Sequence, residues 1–247
     1  MASQTQQQQH GPPANGIMTA VTSVETTTLD ATLDTIVLPT FWDAKYVVGD
    51  GLEPTHEWFG ATSVQKLFER NLFSTAPFRP EDDPVILHLG SGDSVVPIHL
   101  VEKGYRRQIC TDFSPVVVKT MTARHDPYRG QIEWRLLDVR DMVGVEDKSV
   151  TVAFEKSMLD VMIYGSPWNP PDEVRDNARR YMREVHRVLA DDGIFIMVTF
   201  RQPHFFQPLL NQDDLWEIDM QTISEKGCFD TFGYVLKKKS WKSVRES

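Results

Sequence analysis

Three short apolar segments, each ending in glycine or an acidic residue, constrain this chain more than any other feature of its sequence. The first, at 85–92, reads Val-Ile-Leu-His-Leu-Gly-Ser-Gly; the second ends at Asp112, 20 residues after Gly92; the third runs from Ile132 to Asp138. Short apolar runs without strict alternation are typical of strands buried on both faces of a parallel sheet. Because ligands of open α/β sheets bind beyond the carboxyl ends of the strands, the three endings predict one shared ligand site.

The residues at these strand ends suit a nucleoside ligand. The glycines at 90–92 let the backbone approach a ligand, Asp112 can accept hydrogen bonds from both hydroxyls of a ribose, and Asp138 can reach an adenine amino group. A dinucleotide is the competing interpretation, since the same glycines and acid fit the start of a G-x-G-x-x-G fingerprint. However, Val95 stands where that fingerprint needs its third glycine. The layout therefore favours S-adenosylmethionine over a dinucleotide.

Composition and charge limit the class of protein. The 247 residues suffice for one α/β domain, and we expect a disordered N-terminal tail over residues 1–35, followed by a single domain over residues 36–247. Residues 1–24 contain no Lys, Arg, Asp or Glu and show no apolar periodicity. The two cysteines, Cys110 and Cys228, form no C-x-x-C motif, so neither a disulfide framework nor a metal site is expected.

Charge and segment hydropathy also predict partners and location. The net charge of −9 argues against nucleic-acid binding, which depends on basic surface, and is compatible with a basic protein partner. The start of the chain lacks the features of a secretory signal or transit peptide, and the sequence contains no run of 18 uninterrupted apolar residues. We therefore expect a protein without membrane contact, in the cytoplasm, with the nucleus as an open alternative.

Strand and helix signals alternate along the chain. We predict an amphipathic helix from Thr62 or Ser63, a helix capped by Ser94 and a helix opened by Ser114-Pro115. Further expected elements are a strand at 150–154, a long helix from Pro170 to Leu189, a strand at 194–200, and two strands at 215–221 and 229–236. This order predicts an α/β fold with a doubly wound, Rossmann-like, seven-stranded and mostly parallel sheet that ends in an antiparallel strand pair.

Six motifs in register resemble those of a known enzyme family. In chain order they are Phe41–Tyr46, Glu57–Gly60, Leu89–Ser94, Asp112–Val118, Leu137–Arg140 and Glu155–Asp160. Together they resemble class I S-adenosylmethionine-dependent methyltransferases, and among these the methyltransferase-like group that includes the lysine methyltransferases of translation elongation factor 1-alpha. The resemblance covers residues 40–240.

This resemblance implies roles in cofactor binding. Three aromatic residues correspond to those that close over S-adenosylmethionine: Trp42, Tyr46 and Trp58. The positions that would contact its methionine part, ribose and adenine are Gly90, Gly92, Asp112, Phe113, Asp138, Val139 and Lys156. Aromatic faces attract a sulfonium cation. The alternative is that the three aromatics have only a structural role, in the core or covering a sheet edge.

The exit of the fourth strand carries the candidate catalytic residues. Transfer to lysine requires a neutral amine, which costs roughly 4.6 kcal/mol at pH 7 for a reference pKa near 10.4. Glu155 and Asp160 are the candidate proton acceptors, and Asp160 equally suits a structural role in the turn after the strand. Tyr164 and Trp168 are candidates for the acceptor slot. Three departures from the family pattern concern this acceptor side: His88, Ser91 and the pair Ser157-Met158.

Three functions are consistent with these observations. The first is a protein lysine methyltransferase acting on elongation factor 1-alpha or another basic protein. The second is a small-molecule O-, N- or S-methyltransferase, and the third is a module that binds S-adenosylmethionine without transferase activity.

Overall fold

A computed structural model describes residues 37–47, 57, 59, 61–224 and 229–239 of the chain. The expected tail, Trp58 and Cys228 lie outside the described residues. The first described helices are α1 (Pro39–Val47) and α2 (Ala61–Phe68), and a π-helical turn (Glu69–Phe73) extends α2. The amphipathic helix predicted from Thr62 or Ser63 is therefore present.

Strands and helices then alternate, as the sequence predicts. The strands are β1 (Val85–Leu89), β2 (Arg107–Asp112), β3 (Ile132–Leu136), β4 (Val150–Lys156), β5 (Leu189–Thr199), β6 (Trp216–Thr222) and β7 (Phe232–Lys238). The helices between them are α3 (Val96–Glu102), α4 (Pro115–Arg124), α5 (Met158–Met162), α6 (Asp172–Val188) and α7 (Pro203–Leu210). Short 3-10 turns lie at Pro80–Asp82 and Asp126–Tyr128.

The seven strands form one sheet in the order β3-β2-β1-β4-β5-β7-β6. The neighbours from β3 to β5 are parallel, whereas β7 runs antiparallel to both β5 and β6. The predicted mostly parallel sheet with a final antiparallel pair is confirmed. The insertion of β7 between β5 and β6 distinguishes this sheet from the 3-2-1-4-5-6 order of the dinucleotide-binding fold.

The sheet is buried on both faces, and β5 shows how its sequence achieves this. Ile194, Ile196 and Val198 pack in one apolar cluster with α2 and α3. Phe195 and Met197 point to the opposite cluster, which includes α6 and α7. Since side chains alternate across a strand, a continuous apolar run fills both layers.

Some element boundaries differ from the sequence prediction. Strand β5 begins at Leu189 instead of residue 194. Its pairing with β4 shifts register between Val150 and Val152, so the polar residues before Gly193 remain part of the strand as an irregularity. A Cβ atom at Gly193 would lie 2.8 Å from the carbonyl oxygen of Thr151, so this close approach requires glycine. Strand β7 begins at Phe232, three residues later than predicted.

Two helix predictions also need correction. Ser94 is not the residue that caps α3: the cap is Val95, and the Ser94 hydroxyl accepts a hydrogen bond from the Val96 N–H at 3.3 Å. Helix α7 is absent from the sequence prediction because it contains Pro208, which is typical of a loop. Ser114, in contrast, caps α4 as predicted.

Candidate active site

A cavity of about 370 Å³ lies beyond the carboxyl ends of the parallel strands. Its wall contains every cofactor-binding and catalytic candidate predicted from the sequence except Trp58, which lies outside the described residues. These are Trp42, Tyr46, Gly90, Gly92, Asp112, Phe113, Asp138, Val139, Glu155, Lys156 and Asp160. The chain topology thus brings together residues that are up to 118 positions apart, from 42 to 160.

The turn after β1 requires its two glycines. Gly90 and Gly92 adopt left-handed backbone conformations with φ of +59° and +54°. A Cβ atom on Gly90 would overlap the Met158 side chain, and one on Gly92 would lie 2.6 Å from the Tyr46 hydroxyl oxygen. Backbone conformation and close neighbours therefore both select glycine here.

Asp112 joins this turn to the start of α4. Its Oδ2 accepts a hydrogen bond from the Gly92 N–H at 3.0 Å, and its Oδ1 accepts one from the Ser114 N–H at 3.0 Å. Burial raises the pKa of this carboxyl to about 6, despite these hydrogen bonds. Each carboxylate oxygen can accept a second hydrogen bond, so Asp112 can still receive ribose hydroxyls.

Helix α1 forms one wall of the cavity. Trp42 is buried and stacks on Tyr46 with ring centroids 5.8 Å apart. Asp43 fixes the helix, because its Oδ1 accepts a hydrogen bond of 2.5 Å from the Ser114 hydroxyl. Burial, followed by the charges of Asp93, Asp112 and Glu57, raises the pKa of Tyr46. The sequence identified the aromatics of α1 but not the tether through Asp43.

Asp138 is held by Arg140 just beyond β3. The Arg140 Nη2 lies 2.7 Å from Asp138 Oδ2, and the Arg140 N–H donates to Asp138 Oδ1 at 2.9 Å. Burial opposes ionisation of Asp138, but these interactions outweigh it and lower the pKa of the carboxyl. Arg140 also donates to Asn177 Oδ1 on α6 at 3.2 Å. Asp138 is thus an oriented carboxylate at neutral pH.

Glu57 connects the N-terminal segment with two sides of the cavity. It forms an ion pair with Lys156, whose side chain is almost wholly buried. Its Oε2 accepts hydrogen bonds from the Ser94 hydroxyl at 3.3 Å and the Val95 N–H at 3.4 Å. The sequence placed Glu57 in a motif without assigning it a role, since its partners are 37 to 99 residues away.

The charge around the glycine turn discriminates between ligands. A helix N-terminus favours anions, but at the start of α3 the Glu57 carboxylate already accepts a hydrogen bond from the Val95 N–H. Asp93 is a second acid beside the turn, and unlike Glu57 it is buried and lines the cavity. These negative groups disfavour a pyrophosphate and suit a ligand with a sulfonium and an ammonium group. The residues present therefore fit S-adenosylmethionine.

Glu155 is a buried carboxyl of the cavity wall with little compensation of its charge. It is 1% exposed, and its Oε2 accepts a hydrogen bond from the Leu159 N–H at 2.9 Å. Its Oε1 has no hydrogen-bond partner among the described residues. Burial, followed by the charge of Asp160, raises the pKa of Glu155 to about 8. This carboxyl therefore titrates near neutral pH.

Asp160 has partners for both of its oxygens. Oδ2 accepts from the Ser157 hydroxyl at 2.7 Å, and Oδ1 accepts from the Thr199 hydroxyl at 2.6 Å. Arg201 forms an ion pair with Oδ1 at 3.2 Å. Burial nevertheless raises the pKa of Asp160. This geometry suits the structural role considered for Asp160 from the sequence, because the carboxylate ties the turn after β4 to the end of β5.

The side of the cavity near α6 carries Tyr164, one of the two predicted acceptor residues. Tyr164 lies in the wall, and its hydroxyl donates to Glu173 Oε2 at 3.0 Å. Phe200 also lines the cavity and is 52% exposed. Trp168 lies outside the cavity wall and packs edge-on against Phe205, with ring centroids 4.6 Å apart. Sequence reasoning missed Glu173 and Phe200, which no motif marks.

Two further features concern only the described part of the chain. No group of three His, Cys, Asp or Glu side chains there could hold a metal ion. No helix among the same residues has the length and apolar character needed to cross a membrane.

Comparison with known sequences gives consistent results. A family model described as a methyltransferase domain matches residues 87–197. The mouse protein "EEF1A lysine methyltransferase 4" is 34% identical over 168 residues, which cover 67% of this chain and 62% of that protein. The chain thus spans less than two thirds of the length of this relative. "Methyltransferase srdJ" of Neurospora crassa is 26% identical over 211 residues, covering 80% of this chain and 83% of that protein.

Comparison with solved structures supports the fold. The geranyl diphosphate C-methyltransferase of Streptomyces coelicolor, solved with S-adenosyl-L-homocysteine, superposes with a TM-score of 0.54 at 12% identity. The match covers 84% of this chain and 98% of that one. Strand order, the charge of the cavity and these relatives agree on S-adenosylmethionine as the cofactor. The chain carries a class I S-adenosylmethionine-dependent methyltransferase domain that resembles the elongation factor 1-alpha lysine methyltransferases.

Proposed function

We propose that this protein transfers a methyl group from S-adenosylmethionine to a lysine side chain of a protein, with elongation factor 1-alpha as the acceptor. The names of the relatives support this class of acceptor. The observation that carries the proposal is the Glu155 carboxyl, which lines the cavity with one oxygen unpartnered among the described residues. Such a group can accept a proton from an amine. The proposal includes a cytoplasmic location, which a fluorescent fusion would test.

The proposal assigns the cofactor to the strand ends. Asp112 would accept hydrogen bonds from the ribose, Phe113 would flank the adenine, and Asp138 with Val139 would meet the adenine edge. The remaining residues that would contact the cofactor are Trp42, Tyr46, Trp58, Gly90, Gly92 and Lys156. The supporting observation is that all of these except Trp58 line one cavity.

The chemistry required of the protein itself is alignment and deprotonation of the acceptor. When bound, S-adenosylmethionine supplies an electrophilic methyl group. A lysine with a reference pKa near 10.4 is largely protonated at pH 7, so the site has to remove a proton against roughly 4.6 kcal/mol. The pKa of Glu155, at about 8, leaves an ionised fraction at neutral pH that can accept this proton. Burial then favours the neutral, protonated Glu155 that results.

Transfer assays with Glu155→Gln test this role. We expect the wild-type protein to methylate lysine in recombinant elongation factor 1-alpha produced in bacteria, as detected by peptide mass spectrometry. Because Gln cannot accept a proton, the variant should lose at least about 100-fold in kcat. Its affinity for S-adenosylhomocysteine should change by less than about threefold. Asp172→Asn is the matched control, since Asp172 is an exposed acid outside the cavity wall.

Two outcomes would contradict the proposal. Label transferred from S-adenosylmethionine to low-mass compounds of a lysate, with no protein labelled, would favour a small-molecule methyltransferase. Binding of S-adenosylhomocysteine without transfer to any lysate component would favour a silent cofactor-binding module.

A further inference from the structure

Three aromatic side chains that contact one another, and the half-exposed Phe200 of the cavity wall, lie on neighbouring segments of the chain around the cavity. We define the aromatic strip as Trp168, Phe200, His204 and Phe205. Trp168 is 80% exposed although it contacts two members of the strip, with ring centroids 4.6 Å from Phe205 and 6.0 Å from His204. His204 and Phe205 are in turn 3.9 Å apart. An exposed tryptophan held by ring contacts is typical of an interaction site, because water-exposed apolar surface is otherwise unfavourable.

Phe200 connects the aromatic strip with the cavity along the chain. It lines the cavity and follows the last residue of β5, and three residues separate it from His204 and Phe205 on α7. Leu38 is a further half-exposed apolar residue of the cavity wall. A molecule that packs on Phe200 would therefore reach into the cavity.

The cavity wall adds a negative charge to this apolar path. Glu173 is exposed and lines the cavity, and its carboxylate is oriented by the Tyr164 hydroxyl at 3.0 Å. Glu155 lies deeper, with its side chain buried. An apolar path with an exposed carboxylate and a buried carboxyl is complementary to a lysine, which has an aliphatic stem and a cationic end.

We propose that the aromatic strip is the docking surface for the protein segment that carries the acceptor lysine. The occupant is a positively charged segment with an apolar or aromatic side chain close to that lysine. Its apolar side chain packs on Trp168, while Glu173 attracts the lysine ammonium at the cavity entrance. This inference rests on the proposed function and adds the surface by which the protein acceptor is recognised.

A small acceptor molecule would need only the cavity, whereas a protein segment also uses the surface around it. Tryptophan residues at the centre of an interface frequently contribute a large share of the binding energy. Removal of Trp168 should therefore weaken binding of a protein acceptor and leave the cofactor site intact, because Trp168 lies outside the cavity wall.

The test compares Trp168→Ala with Phe229→Ala in the full chain, using recombinant elongation factor 1-alpha as the probe. Phe229 is 93% exposed and lies outside both the cavity wall and the strip, so it is the matched aromatic control. We expect Trp168→Ala to raise the KM for the probe at least about tenfold. The kcat and the Kd of S-adenosylhomocysteine should change by less than about threefold, and Phe229→Ala should match wild type.

Direct binding of the probe to immobilised protein in the presence of S-adenosylhomocysteine separates this inference from the proposed function. If wild type methylates the probe and Trp168→Ala has an unchanged KM, the docking surface is wrong and the proposed function stands. If wild type binds the probe through Trp168 without methylating it, the docking surface stands and the proposed function fails. If wild type neither binds nor methylates the probe, both are overturned.

Discussion

At the scale of single residues, three of the buried carboxyl groups in the cavity wall differ in how their charge is compensated. Asp112 accepts two backbone N–H groups, and Asp160 accepts two hydroxyl groups and pairs with Arg201. Glu155 leaves one oxygen without a hydrogen bond in the described structure. Burial raises the pKa of all three, and the ionised form of Glu155 has the fewest compensating partners. The fourth strand therefore ends in a carboxyl that exchanges protons near neutral pH.

Two backbone N–H groups hold the Asp112 carboxylate in place at the position assigned to the ribose. We therefore expect cofactor affinity to depend on Asp112 more than on Asp138. We expect Asp112→Asn to weaken binding of S-adenosylhomocysteine by roughly 1.5 to 3 kcal/mol, because an acceptor for charged hydrogen bonds is lost. Asp138→Asn should cost less, since Asp138 is already paired with Arg140. Calorimetry of both variants, with circular dichroism to check folding, measures this order. Wild-type affinity in both variants would show that the ribose and adenine positions are misassigned.

The raised pKa of Glu155 predicts a specific dependence of stability on pH. Its pKa is about 8 in the folded protein against an ordinary value of 4.5, so between these pH values the folded state retains a proton that the unfolded state has lost. This contribution to the free energy of unfolding is complete below pH 4.5 and is lost as the pH rises to about 8. Glu155→Gln, uncharged throughout, should be more stable than wild type at pH 8 by roughly 1 to 3 kcal/mol.

Urea unfolding between pH 5 and pH 9 at about one-unit steps measures this difference. Asp172→Asn is again a suitable control, because Asp172 is exposed. Parallel stability profiles for wild type and Glu155→Gln would contradict the prediction.

At the scale of elements, α1 is attached to the domain through the cofactor site itself. Asp43 binds the Ser114 hydroxyl, Tyr46 approaches Gly92, and Trp42 lines the cavity. Part of its contact surface therefore faces the space assigned to the ligand. This arrangement couples the order of the helix to occupancy of the cavity.

Hydrogen exchange of α1 should consequently depend on ligand. We expect the backbone amides of residues 40–47 to gain protection when S-adenosylhomocysteine binds, and Asp43→Ala to reduce protection in the free protein. Trp42→Ala should weaken ligand binding more than it lowers stability. Equal protection with and without ligand, together with a stability loss of about 3 kcal/mol or more in Trp42→Ala, would make these aromatics core residues.

The elements also show how far the sequence determines the structure. Strands β1, β2 and β4 were predictable because each contains a short apolar run next to polar turn residues. The early start of β5 was not predictable, since it depends on how Gly193 packs against the backbone of β4. In the site, residues that follow directly from strand ends, such as Asp112, were identified. Residues whose role depends on partners far along the chain, such as Glu57 and Glu173, were not.

At the scale of the whole molecule, the sequence still predicts that residues 1–35 lie outside the folded domain. We expect a chain that begins at residue 36 to have the same melting temperature and the same affinity for S-adenosylhomocysteine as the full chain, because residues 1–24 offer no apolar face to bury. Calorimetry of the two chains provides the comparison. A fall of several degrees in the melting temperature would show that this segment packs on the domain.

The identity of the cofactor should be visible in the stability of the molecule as a whole. A ligand that binds only the folded state at about 100 times its Kd adds roughly 2.7 kcal/mol to the free energy of unfolding. For a domain of this size that corresponds to roughly 5 to 10 °C in melting temperature. S-adenosylhomocysteine at saturating concentration should produce such a shift.

NAD at the same concentration should produce no shift. The Glu57 carboxylate already accepts a hydrogen bond from the Val95 N–H, and Asp93 is buried beside the turn, so a pyrophosphate would meet two carboxylates there. Glu57→Gln combined with Asp93→Asn removes both charges and tests this explanation separately, since the double variant should tolerate NAD better than wild type does. A stabilising shift with NAD and none with S-adenosylhomocysteine in the wild-type protein would contradict the assignment of the cavity.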